Sequence, residues 1–131
     1  MVIIDTSVWI DYFNGTQSPE TLWLDSQLGQ RRLALTDIIL CEILQGVRDD
    51  RQATRLKRDL LRFVVFEMHG VHLAEQAARN YRSLRSRGVT VRKTIDCLIA
   101  TYCILGGHDL LHNDHDYDPF ETHLQLSVLH P

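Results

Sequence analysis

The sequence predicts an α/β fold with a mostly parallel central sheet of four to five short strands and helices on both of its faces. Short apolar runs, the first of them Val2–Ile4, alternate along the chain with longer segments of helical character. Strands that are separated by helices join through crossover connections, which give a parallel sheet covered on both faces. With 131 residues, 44% of them apolar, the chain has the size and composition of one domain spanning 1–131.

The first half of the chain is predicted to contain two strands and four helices. The first apolar run breaks at Asp5-Thr6-Ser7, residue types that favour helix N-caps, and a short helix follows. The fourth helix is highly charged, and we expect its Leu56, Leu60 and Leu61 to face inward. The predicted strands are 2–4 and 33–35, and the predicted helices are 8–13, 20–28, 37–46 and 49–61.

The second half begins with a strand at 63–66, followed by an amphipathic helix at 72–87 and an apolar helix that Thr94 caps. A fourth strand at 110–111 leads into an acidic loop, and a fifth strand at 126–129 closes the chain. The buried side of the amphipathic helix is predicted to contain Ala74, Ala77, Ala78, Tyr81 and Leu84.

Charge is strongly segregated along the chain, although the net charge is only −3. All 14 Lys and Arg lie between Arg31 and Lys93 beside seven acids, so that this basic segment carries +7, while the flanking segments hold only acids. Such a segment can present a basic surface to a polyanion. No apolar run reaches the length of a membrane span, so we expect a cytoplasmic protein without membrane contact. The three cysteines (Cys41, Cys97 and Cys103) are interpreted as reduced core residues.

Four acidic residues lie inside or at the edge of strongly apolar runs: Asp5, Glu42, Asp96 and Asp114. Asp5 and Asp114 follow predicted strands and Asp96 lies in the first turn of a helix. They therefore belong at the sheet edge where parallel α/β folds bind ligands. Glu42 lies in the middle of a helix, where no capping role explains it. Buried carboxylates need a cation, and clustered oxygen ligands suit Mg²⁺ or Mn²⁺.

Other phosphate or metal chemistries match the sequence poorly. An EF-hand loop at 114–125 fails because Pro119 stands at the sixth position, where Gly is required, and Gln125 at the twelfth, where Glu is required; a haloacid-dehalogenase motif fails because Ser7 replaces a second Asp. The chain has no Walker loop and no dinucleotide fingerprint. Four histidines are close together in sequence but match no zinc signature: His108, His112, His115 and His123.

Four segments resemble the signature blocks of PIN-domain nucleases. They are Ile3–Val8, Glu42 within its apolar helix, Thr94–Ala100 and Leu111–Tyr117. The resemblance covers the whole chain, and the length resembles that of VapC-type toxins of type II toxin–antitoxin systems. It implies a PIN-like domain in which the four acids are catalytic and bind metal.

The resemblance also assigns supporting roles near the four acids. Asp116 becomes an accessory metal ligand, and Thr6, Ser7 and Asn113 become supporting polar residues. His112 stands where the family often has Ser or Thr, which is a departure from the pattern.

The function implied is that of a Mg²⁺- or Mn²⁺-dependent endoribonuclease acting as a toxin, with RNA as substrate, a VapB-type antitoxin as partner and a homodimer as the expected assembly. Candidate RNA contacts, each to be weighed against a merely solvated helix face, are Arg79, Arg82, Arg85, Arg92 and Lys93. Aromatic side chains near the N-terminus form either a groove for a partner helix or part of the core: Trp9, Tyr12, Phe13 and Trp23.

Two other functional classes remain compatible with the sequence. A metal-dependent phosphohydrolase of a small phosphoester would use the same acids without needing the basic segment. A non-catalytic RNA-binding module would not need four intact acids. Salt-sensitive RNA binding separates the first alternative from a ribonuclease, and RNA cleavage separates the second.

Overall fold

The computed structural model describes residues 1–30 and 32–131. Its strands are β1 (Val2–Ile4), β2 (Leu33–Thr36), β3 (Val64–Phe66) and β4 (Asp109–Leu111). All pairings are parallel and the strand order is β3-β2-β1-β4, which confirms the predicted fold class. Arg31, the first base of the basic segment, lies outside the described residues.

Helices connect these strands in two groups. The helices are α1 (Thr6–Phe13), α2 (Pro19–Gln27), α3 (Asp37–Gln45), α4 (Asp50–Leu60), α5 (Val71–Ser86), α6 (Thr94–Gly106) and α7 (Asp118–Leu124). Helix α1 packs against α2 and α3, and α3 packs against α4, whereas α5 packs against α6 and α7. The chain advances from β1 to β3 and then returns to β4 on the other side of β1. Because crossovers are right-handed, this reversal places the two groups on opposite faces of the sheet.

The core lies around the two central strands. Every residue of β1 and β2 is buried, as expected of short strands covered on both faces. Ile3, Ile4, Leu110 and Leu111 are completely buried, and each such side chain contributes about 1.5–3 kcal/mol through removal from water. Among the helices of residues 1–30 and 32–131, none combines the length and the hydropathy that crossing a bilayer requires.

The reversal of strand order creates a crevice beside β1. The connection that leaves β1 runs toward β2, while the connection that enters β4 arrives from β3 on the opposite face. In parallel α/β sheets, ligands bind at such a switch point, outside the carboxyl ends of the strands. Asp5 follows β1 directly, and its backbone N–H donates to the Leu111 carbonyl at 2.9 Å, so the ends of β1 and β4 are joined there.

Two predictions for the C-terminal part are wrong. The segment 126–129 does not form a fifth strand, since it pairs with β4 only through one parallel bridge between Leu110 and Val128. The acidic loop is instead a 3-10 turn (His115–Tyr117) followed by α7. Pro119 lies in the first turn of α7, where its fixed φ and missing N–H favour a helix start.

Several predicted buried faces also differ from the structure. Helix α5 buries Leu73, Ala77 and Leu84 and exposes Ala74 and Ala78, because the larger leucines determine which face turns inward.

Two further residues expected in the core, Leu61 and Cys41, are exposed, whereas Cys97 and Cys103 are buried as predicted. Thr94 is the first helical residue of α6 and not its cap, since the preceding Lys93 occupies the N-cap position without a side-chain bond.

Candidate metal centre

Asp5 is fixed by hydrogen bonds to both carboxylate oxygens. It caps α1, where its Oδ2 accepts from the Ser7 backbone N–H at 3.1 Å and from the Ser7 hydroxyl at 2.7 Å. The Tyr117 hydroxyl donates to Oδ1 at 2.8 Å. The Ser7 hydroxyl oxygen in turn accepts from the Asn113 backbone N–H at 3.0 Å. Ser7 and Asn113 therefore join Asp5 to the segment that follows β4.

Glu42 reaches the same region from α3. Its Oε1 accepts from the Thr6 hydroxyl at 2.8 Å, across the packed pair of helices α1 and α3. Burial raises the pKa of Glu42; the Thr6 hydrogen bond opposes the rise, and the negative charge of Asp5 adds to it. The side chain is half-buried. Thr6 thus holds in place a carboxylate that its own helix cannot pair.

Asp96 is the acid with the least protein support. It lies in the first turn of α6 and is 6% exposed. Its Oδ1 is 3.5 Å from the Tyr117 hydroxyl, and its buried Oδ2 has no hydrogen-bond partner among the described residues. Burial, followed by the negative charges of Asp5 and Asp114, raises the pKa of Asp96 to about 6. A buried carboxylate oxygen without a donor is expected to need a cation.

Asp114 and Asp116 complete the cluster. Asp114 caps the 3-10 turn, where its Oδ1 accepts from the Asp116 backbone N–H at 2.9 Å. Asp116 Oδ2 lies 3.2 Å from the Arg92 guanidinium. One carboxylate oxygen from each of Asp96, Asp114 and Asp116 lies within 4.8 Å of the others, a spacing that fits a single ion.

These side chains surround a cleft of about 170 Å³ at the carboxyl edge of the sheet. The residues lining it are Asp5, Thr6, Ser7, Ile10, Glu42, Lys93, Asp96 and Asp114. Two ionised carboxylates about 4 Å apart repel by roughly 4 kcal/mol at an effective dielectric of about 20, and the cleft holds four. The possible metal ligands are all carboxylate oxygens, and the buried Asp96 Oδ2 has no hydrogen-bond partner among the described residues. This set of ligands fits a hard divalent cation.

The predicted RNA-contact residues lie in three places. Arg79, Arg82 and Arg85 are exposed on α5, with the Arg85 guanidinium 5.7 Å from the centre of the Tyr81 ring. Arg92 pairs with Asp116, and Lys93 lines the cleft itself.

A longer row of basic side chains runs along α4 and the residues that flank it, and none of its members is among the predicted RNA contacts. Its members are spaced three and four residues apart and are exposed: Arg48, Arg51, Arg55, Arg58 and Arg62.

The N-terminal aromatic residues divide between core and surface. Trp9 is 1% exposed, with its ring centre 5.2 Å from that of Phe63, so it belongs to the core. Phe13 is 38% exposed and Ile10 is 42% exposed. Both line a groove of about 350 Å³ between α1, the end of α3 and α4, whose lining mixes apolar side chains with polar ones such as Arg48 and Gln52. Ile10 also lines the acidic cleft, so the groove and the cleft are continuous.

The sequence analysis did not identify Tyr117 as a site residue. Its ring is completely buried and its hydroxyl reaches two of the four acids. The sequence contains one indication of this role, because a buried tyrosine needs a hydrogen-bond partner for its hydroxyl and acidic residues precede Tyr117. His112, which departs from the family pattern, packs its ring against Tyr117 with the centres 4.9 Å apart.

Comparisons with known proteins identify the family of the chain. The family model of the PIN domain matches residues 2–121. Ribonuclease VapC11 of Mycobacterium tuberculosis is 36% identical over 120 residues, which cover 90% of each chain. The structure is similar to that of VapBC2 from Rickettsia felis bound to a promoter DNA fragment, with a TM-score of 0.77, 18% identity and 98% of each chain covered. It is also similar to a toxin–antitoxin complex from Klebsiella pneumoniae, with a TM-score of 0.73, 18% identity and 100% and 98% coverage. The chain belongs to the PIN-domain family, within its VapC ribonuclease branch.

Proposed function

We propose that the chain is a metal-dependent endoribonuclease that acts as the toxin of a toxin–antitoxin pair. The observation that carries the proposal is the convergence of Asp5, Glu42, Asp96 and Asp114, from four separate segments, on one cleft. The curated VapC ribonucleases, 36% identical over 90% of the chain, support RNA as the substrate. The basic segment supplies positive charge for a polyanion.

The ion is Mg²⁺ or Mn²⁺ in this proposal. Asp96, Asp114 and Asp116 would hold it, since their oxygens lie within 4.8 Å of one another, and Asp5 and Glu42 line the same cleft. When bound, such an ion activates water and offsets negative charge on the scissile phosphate.

The remaining polar groups position the acids and the substrate. Ser7 and Thr6 hold Asp5 and Glu42, so that their carboxylates do not reorient when RNA approaches. Lys93 lines the cleft and attracts the phosphate backbone, while the metal-free acids repel it.

The test is cleavage of a defined RNA with and without Mg²⁺ or Mn²⁺. We expect wild-type protein to cleave with metal and to stop in chelator, and we expect Asp114→Asn to be inactive with an unchanged circular dichroism spectrum. Asp25→Asn is the matched control, because Asp25 is an exposed acid on α2, outside the cleft, whose carboxylate accepts from the Tyr12 hydroxyl at 3.1 Å. Hydrolysis of a small phosphoester without RNA cleavage, or near wild-type cleavage by Asp114→Asn, would contradict the proposal.

The groove beside the cleft, lined by Phe13, Ile10 and several polar side chains, is the proposed binding surface for an antitoxin of the VapB type. A helix with an apolar face would cover Phe13 and Ile10, and the continuity at Ile10 would let its following residues reach the acids. A basic side chain placed there would neutralise the carboxylates and block the cleft. This arrangement explains how one partner could both bind and inhibit the chain.

We also propose that the chain self-associates. The candidate surface is the groove between α5 and α6, about 570 Å³ in volume and mainly apolar, to which Ala77, Tyr81 and Leu98 contribute. An apolar groove of this kind is unfavourable when it is exposed to water and is typical of an interaction surface. Light scattering should give twice the chain mass, and Leu98→Glu should reduce it to the mass of one chain.

A further inference from the structure

The Tyr117 hydroxyl lies between two acids that come from different parts of the fold. It donates to Asp5 Oδ1 at 2.8 Å and lies 3.5 Å from Asp96 Oδ1. Asp5 caps α1 and Asp96 lies in the first turn of α6, so no local backbone geometry fixes their separation. The phenol therefore donates to Asp5 and lies beside Asp96 beneath the cleft.

Tyr117 is itself held rigidly. Its side chain is completely buried, and its backbone N–H donates to the Asp114 carbonyl at 3.1 Å within the 3-10 turn. The His112 ring packs against it at 4.9 Å between centres, and His112 Nδ1 accepts from the Asp114 backbone N–H at 3.1 Å. The two packed rings thus hold the Asp5 carboxylate through the phenol and the Asp114 backbone through the imidazole.

The chemistry of the bridge suits a metal site. A buried Lys or Arg between Asp5 and Asp96 would neutralise them and compete with a cation. A neutral hydroxyl donates one hydrogen bond, which orients the Asp5 carboxylate beside Asp96 and yet leaves the negative charge of both acids available to a cation. Each carboxylate oxygen has a second lone pair, so the bond to Tyr117 does not use up the ligand capacity of Asp5.

We propose that Tyr117 is a positioning residue for the metal centre: its hydroxyl, supported by the His112 ring, sets the orientation of Asp5 relative to Asp96 for capture of a divalent cation. The inference rests on the proposed function, because it assumes that the acids serve a metal. Hydrogen-bond partners of ligands typically contribute about 10–100-fold to metal affinity.

The test compares Tyr117→Phe with wild type by titration of Mn²⁺, followed by the electron paramagnetic resonance of the free ion. The substitution keeps the ring and its packing and removes only the hydroxyl. We expect the dissociation constant for Mn²⁺ to rise by about tenfold or more. We also expect the variant to lose RNA cleavage at low Mn²⁺ concentration and to regain it at high Mn²⁺ concentration. Its melting temperature in chelator should change little. Tyr12→Phe is the matched control, since that hydroxyl donates to exposed Asp25 at 3.1 Å, and it should bind Mn²⁺ as wild type does.

The outcomes separate this inference from the proposed function. Wild-type protein that binds no Mn²⁺ would overturn the metal centre and the inference with it. If wild type binds Mn²⁺ and the dissociation constant of Tyr117→Phe is within twofold of the wild-type value, the positioning role alone is overturned. A lower melting temperature without a change in the constant would make Tyr117 a structural residue, and would overturn the role equally.

Discussion

Replacing Asp96 with Asn should stabilise the metal-free protein, although the same change should abolish RNA cleavage. The reason is that the fold holds this carboxyl at 6% exposure beside other acids, and Oδ2 has no hydrogen-bond partner within residues 1–30 and 32–131. An Asn of the same shape removes one repelling charge, and its amide gains carboxylate acceptors nearby. The direction of the effect is unusual, because most buried polar substitutions destabilise a protein.

The magnitude follows from the pKa of Asp96, which the fold raises from 3.8 to about 6. The folded state therefore binds the Asp96 proton more tightly than the unfolded state does. The resulting stability is fully present below pH 3.8 and is lost as the pH rises through 6. Each pH unit between the two pKa values costs about 1.4 kcal/mol, so the free energy of unfolding of wild type falls by about 3 kcal/mol by pH 7.5. The Asn variant has no such group to ionise.

Thermal unfolding in chelator at pH 7.5 and at pH 5 measures this difference. We expect Asp96→Asn to melt higher than wild type at pH 7.5, by about 10 °C, and the gap to narrow at pH 5. Millimolar Mn²⁺ should stabilise wild type, by roughly 2.7 kcal/mol at about 100 times its dissociation constant, and should stabilise the variant less. Asp25→Asn should follow wild type throughout. A variant that melts lower than wild type in chelator at pH 7.5 would refute the reasoning, because Asp96 would then hold the fold together.

Three further predictions concern the cleft and its partners. Glu42→Gln should melt no lower than wild type in chelator and should gain less from Mn²⁺, because burial raises the pKa of Glu42; a large loss in chelator would instead mean that Glu42 is structural. Replacing three arginines by Gln on α5 should weaken RNA binding and reduce the slope of the logarithm of the RNA-binding constant against the logarithm of salt concentration by about 2. If the α5 variant binds RNA as wild type does and the equivalent α4 triple variant binds it less tightly, the RNA-binding surface lies on α4. Phe13→Asp should prevent co-purification with the antitoxin while RNA cleavage continues, and retained co-purification would place the partner elsewhere. The α5 triple variant carries Arg79→Gln, Arg82→Gln and Arg85→Gln, and the α4 triple variant carries Arg51→Gln, Arg55→Gln and Arg58→Gln.

The sequence predicted the elements that have strong local signals. The all-apolar run before Asp5 identified β1, and the caps and glycines located α1 to α6 to within one or two residues, whereas α7 was not predicted. The exposed faces of α4 and α5 were predicted less well, since Leu61 and Ala78 are apolar and yet lie outside the core. Periodicity identifies a possible buried face, but the packing of neighbouring helices determines which residues fill it.

The convergence of the acids could be anticipated, whereas their supporting contacts could not. Asp5 and Asp114 follow strands that end at the same sheet edge, and this geometry follows from a parallel topology. The bond from Tyr117 to Asp5 joins residues 112 positions apart in the sequence. It depends on the 3-10 turn, which the sequence analysis had taken to be part of a loop. A contact of that kind appears only when the register of β1 against β4 is known.

The pairing of Arg92 with Asp116 links the two halves of the proposed function. The guanidinium lies 3.2 Å from the carboxylate, and its side chain is 72% exposed. An exposed pair of this kind contributes about 1 kcal/mol or less, so Arg92 can leave Asp116 at little cost. In the metal-free protein Arg92 offsets the charge of the accessory acid. In the proposed metal centre, a cation held by Asp116 would remove that need and leave the guanidinium available to a phosphate. Metal binding and RNA binding should therefore reinforce each other beside the cleft, through release of this salt bridge.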